Sequence, residues 1–81
     1  MRLPRDLTGA QLAAFLRRYG YEVTRQTGSH LRLTTNLAGE HHVTVPNHDP
    51  LRIGTLNSVL SDVADHAGVS KAEIVARLTE G

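Results

Sequence analysis

A chain of 81 residues has room for one core, expected to span 1–81 as a single domain with a net stability of about 4–12 kcal/mol. Without cysteine it has no disulfide framework, thiolate nucleophile or cysteine metal site. The charged, proline-bearing start Met1-Arg2-Leu3-Pro4-Arg5-Asp6 predicts neither a secretory leader nor a membrane partner, and hence a cytoplasmic setting. The formal net charge of +1 hides a polarity: residues 1–54 hold seven arginines against four acids, whereas residues 55–81 hold Lys71 and Arg77 against Asp62, Asp65, Glu73 and Glu80.

A first helix is predicted from Thr8, whose hydroxyl suits an N-cap, with Leu12, Phe15, Leu16 and Tyr19 at helical spacing and Gly20 as its stop. Tyr21 and Val23 then alternate with Glu22, Thr24 and Gln26, the pattern of a half-buried strand, and Thr27-Gly28 reads as a turn. In the second strand, Ser29 to Thr35, Leu31 and Leu33 share one face, and His30, Arg32 and Thr34 the other. Asn36-Leu37-Ala38-Gly39 forms a hairpin turn. The third strand, Glu40 to Val45, directs Val43 and Val45 to the core and His42 and Thr44 outward, with Pro46 as its end.

After the loop Asn47-His48-Asp49-Pro50, a helix from about Ile53 carries the stripe Ile53, Leu56, Val59, Leu60 and Val63, and Gly68 stops it. Ser70-Lys71-Ala72-Glu73 has capping-box spacing and opens a short last helix that presents Ile74 and Leu78 inward. The order αβββαα predicts an α+β fold, a three-stranded antiparallel sheet whose apolar face is covered by helices while the other face stays open.

On that open face His30 is the candidate proton-transfer residue, because an imidazole can take up and return a proton near neutrality. Arg32 lies two residues on, on the same face, with Thr34 and His42. His42 becomes a second proton carrier only if its strand pairs in a register that brings the two rings close. Adjacent His41 and His42 point to opposite faces and cannot hold one metal together, so no metal or other cofactor is expected. His48 reads as a loop residue. His66 is placed at its own helix's terminal carbonyls, and Arg17, Arg18 and Arg25 as solvated or phosphate-facing side chains.

Gly-Tyr-x-x-x-Arg-Gln-x-Gly-Ser-His over residues 20–30, Val43-Thr44-Val45-Pro46, the loop Asn47-His48-Asp49-Pro50-Leu51 and Gly54-Thr55-Leu56-x-x-Val59-Leu60 together resemble the HicA family of toxins, over roughly residues 6–66. The resemblance implies a fold like that of double-stranded-RNA-binding domains and cleavage of messenger RNA that lowers translation. It also implies neutralisation by a HicB-like antitoxin, and its catalytic histidine falls on His30. Metal-free RNA cleavage needs a proton taken from a 2′-hydroxyl and another given to the departing oxygen. His30 serves at least one of these steps, and Arg32 is the candidate phosphate ligand. Gly28 and Ser29 support the turn or touch RNA, and Thr34 and His42 complete the RNA-binding candidates. The competing reading is a noncatalytic RNA-binding module, and a pure protein-interaction domain stands behind it.

Overall fold

The computed structural model describes residues 3–80, so the Met1-Arg2 end of the charged start lies outside the described residues. Helix α1 spans Gly9–Leu16 and continues as a 3-10 turn, Arg17–Tyr19. At its start Thr8 and Gln11 cap each other reciprocally, the Thr8 hydroxyl accepting from the Gln11 amide N–H at 3.1 Å and the Gln11 side chain from that of Thr8 at 2.9 Å. Gly20 ends the 3-10 turn at φ +84°, where a Cβ would collide with Thr35 and Leu37 side chains.

Strands β1 (Glu22–Thr27), β2 (His30–Thr35) and β3 (His41–Pro46) form one antiparallel sheet in that order. The first turn is one residue later than its sequence suggests. Thr27 pairs with His30, so Gly28-Ser29 makes the bend, and Gly28 takes φ +55° in open space, which makes its need for glycine purely conformational. Helices α2 (Ile53–Ala67) and α3 (Lys71–Thr79) follow. Gly68 stops α2 at φ +72°, and the Ser70 hydroxyl caps α3 by accepting from the Glu73 amide.

Helices α1 and α2 pack on the face carrying Leu31, Leu33, Val43 and Val45, and α3 packs on α2, so that Leu12, Leu16, Leu56, Leu60, Val63 and Ile74 join the strand residues in one buried cluster. Two apolar residues expected to be buried are not. Ile53 is 37% exposed, since it opens α2 before the helix reaches the sheet, and Val23 is 49% exposed. Val23 pairs with Leu33 and faces the helices. The gap between α1 and the edge strand β1 leaves it bordering an open groove of about 550 Å³. Tyr21, just before β1, is buried instead.

At the start of α1 the backbone of Gly9 lies against Pro46 and Asn47 so closely that no Cβ fits, and the Gly9 amide donates to the His48 carbonyl at 2.9 Å. The Asn47 amide donates to the Ser29 carbonyl. The exit of β3 is thereby tied to the β1–β2 turn and to α1.

Candidate nucleic-acid interface and proton-transfer site

The open face is organised in rungs by the strand register. On the first rung His30 opens β2 opposite Thr27 on one side and Pro46 on the other, and its side chain is exposed. Among the described residues no side chain hydrogen-bonds its imidazole. Gly28 and Ser29 place it at the end of the ladder, one through its backbone angle and the other through its carbonyl.

Two residues along, about 6.6 Å away, Arg32 sits between Arg25 and Thr44. Like charges directly opposite each other across a strand pair oppose folding. Neither guanidinium meets a carboxylate among the described residues, so two free cations stand one rung from His30. A register shift between Val23 and Arg25 inserts Thr24 into β1 as a bulge; its hydroxyl lies 2.8 Å from that of Thr34.

The third rung pairs Thr34 with Glu22 and with His42. The Thr34 hydroxyl is 2.8 Å from His42 Nδ1, and His42 Nε2 is 2.8 Å from the Glu40 carboxylate. A carboxylate only accepts, so Nε2 donates to Glu40 and, in the neutral ring, Nδ1 accepts from Thr34. This register settles the conditional expectation for His42. Its partner Thr34 is four residues from His30, about 13 Å along the strand, so the register does not bring the two rings side by side and the condition set for His42 as second proton carrier is not met.

His41 points the other way, into a cluster at the edge of the helix layer. The Tyr21 hydroxyl lies 2.7 Å from His41 Nδ1, and His41 Nε2 lies 3.3 Å from Asp62. The His41 ring stacks on that of His66, centroids 4.4 Å apart. His66 Nε2 donates to carbonyls, as expected, but to those of Leu37 and Gly39 in the β2–β3 turn (2.9 and 3.0 Å) rather than to the end of its own helix. Burial, reinforced by the Asp62 charge, pushes the Tyr21 phenol up to about 12. This cluster pins α2 to the sheet and faces away from His30. Alternation placed His41 inward, but its partners come from α2 and the residue before β1, contacts that no local pattern records. The only advance signal was Tyr21 itself, since a buried phenol needs a partner for its hydroxyl.

Arg18 lies over the Phe15 ring, 5.8 Å from its centroid, and Arg17 borders the groove between α1 and β1, so both belong to the helix side. Among the described residues no group of three or more histidines and carboxylates is placed to hold a metal ion, and no helix is long and apolar enough to cross a membrane.

Fold and face together define a class: a small α+β protein whose helices back a three-stranded antiparallel sheet and leave open a face that carries His30, His42 and the Arg25–Arg32 pair. The family described as HicA toxin of bacterial toxin–antitoxin matches residues 9–68, most of the chain, and the chain belongs to that family. No curated protein and no solved structure showed significant similarity to it.

Proposed function

We propose that the chain is a metal-independent endoribonuclease that cleaves messenger RNA and lowers translation, with His30 as its proton-transfer residue, and that a HicB-like antitoxin neutralises it. The observation that carries this reading is the placement of an exposed, unencumbered imidazole one rung from two unpaired arginines on the open face. RNA supplies its own nucleophile. His30 takes the proton of a 2′-hydroxyl, the oxygen attacks the adjacent phosphorus, and the 5′ oxygen departs with a proton delivered from water, leaving a 2′,3′-cyclic phosphate. Arg32, with Arg25 opposite, holds the phosphate and offsets the charge that grows on it. Gly28 and Ser29 set the turn that presents His30, and Thr34 belongs to the RNA-contacting surface beyond Arg32.

His30→Ala is expected to lower the rate of RNA cleavage by at least about 10²-fold and to relieve growth inhibition. The melting temperature should stay nearly the same, since an exposed strand residue packs against little. Undiminished cleavage by this variant removes the assignment. One observation favours the noncatalytic alternative: among the described residues no side chain hydrogen-bonds the His30 ring to orient it. Labelled RNA that is retarded but left intact by the purified protein between pH 5 and 8 would support that module instead.

A further inference from the structure

We infer that His42 is a base-stacking subsite, which binds a nucleobase about two nucleotides from the phosphate held at His30; this rests on the RNA-directed reading of the open face. Both His42 ring nitrogens are engaged within the protein, Nε2 with Glu40 and Nδ1 with Thr34, each at 2.8 Å, yet 37% of the side chain is exposed. What remains for a ligand is carbon: the faces and C–H edge of a ring held at both nitrogens. A fixed aromatic plane on an open sheet is the element that single-stranded RNA uses for stacking. The phenyl and phenol rings, Phe15, Tyr19 and Tyr21, pack with the buried cluster on the helix side, which leaves imidazoles as the rings of the open face.

The charges along the face say which part of the nucleotide sits where. Arg25 and Arg32 stand one rung from His30, so phosphate belongs on that half of the face. Glu22 and Glu40 flank Thr34 and His42 on the far rung, where a phosphate would be repelled. Carboxylates there suit the hydrogen-bond donors of a base or ribose instead. The span of about 13 Å from His30 to the His42 rung, with the arginines midway, makes room for a strand of RNA running along β2.

The test is carried out in the His30→Ala background, so that RNA stays uncut, by fluorescence anisotropy with diadenylate and hexaadenylate. His42→Ala is expected to weaken hexaadenylate binding about tenfold and to leave diadenylate binding unchanged. His42→Phe, which keeps a ring but neither hydrogen bond, is expected to recover most of the loss. Three results overturn the inference: unchanged hexaadenylate binding in His42→Ala, an equal loss on both ligands, or no recovery with phenylalanine. Cleavage by the otherwise intact chain is read separately. If it cuts no RNA while the anisotropy pattern holds, the nuclease reading fails and the stacking subsite stands.

Discussion

His41 and His42 are neighbours in sequence and belong to different halves of the molecule. His42 lies on the open face, in a hydrogen-bonded chain with Glu40, Thr34 and Thr24. His41 is held between Tyr21, Asp62 and His66, where it joins the sheet to α2. The same side chain is a surface feature in one place and a structural pin in the other because strand residues alternate and only one face is covered by helices. The inner face holds the buried core, and the outer face is left open to solvent. Substitutions on the two faces should therefore separate folding from activity.

The largest effect on stability is expected inside. Leu33 is fully buried on the central strand, and Leu33→Ala should cost about 2–5 kcal/mol, a large part of what a chain of this size has. Urea unfolding measures it, and a loss below about 1 kcal/mol would mean that the inner face is not the principal source of stability. The pinning cluster should show itself at high pH. Because the Tyr21 phenol is raised from 10.0 to about 12 in the folded protein, both states are protonated below pH 10, and stability is lost as pH climbs from 10 through 12. Denaturation at pH 9 and 11 should show a loss attributable to Tyr21 of about 1 kcal/mol, absent from Tyr21→Phe. An equal alkaline loss in both proteins would deny Tyr21 its buried, protonated state.

The smallest change in stability, and of opposite sign, is expected outside. Arg25→Ala removes one of two facing cations and should stabilise the fold by a few tenths of a kcal/mol while weakening RNA binding. The slope of log affinity against log salt should become shallower by about 0.7. A destabilised variant with an unchanged salt slope would show that the Arg25–Arg32 pair serves the fold rather than a phosphate. Together the three substitutions ask whether the faces divide the labour as the burial pattern indicates.

Much of this architecture could be read along the chain because it rests on short-range rules. Period-two alternation in His30-Leu31-Arg32-Leu33-Thr34 assigned faces before any partner was known, and the caps at Thr8 and Ser70 and the stops at Gly20 and Gly68 follow from backbone groups a few residues away. Val23 and Ile53 were misplaced because burial depends on where a covering helix ends, and neither residue carries that information. Gly9 is the reverse case. Glycine in a first helical turn reads as a local weakness, and only its contact with Pro46 and Asn47 explains it.

By itself the sequence determined the order of elements, the two-faced strands and the presence of His30, Arg32, Thr34 and His42 on one side, since alternation and capping act within a few bonds. Only the tertiary structure decided the register that puts Arg25 beside Arg32 and separates His42 from His30, and the clustering of Tyr21, His41, Asp62 and His66. Those are distances between segments far apart in the chain, set by how the hairpins pair and where α2 settles, and no local preference encodes them.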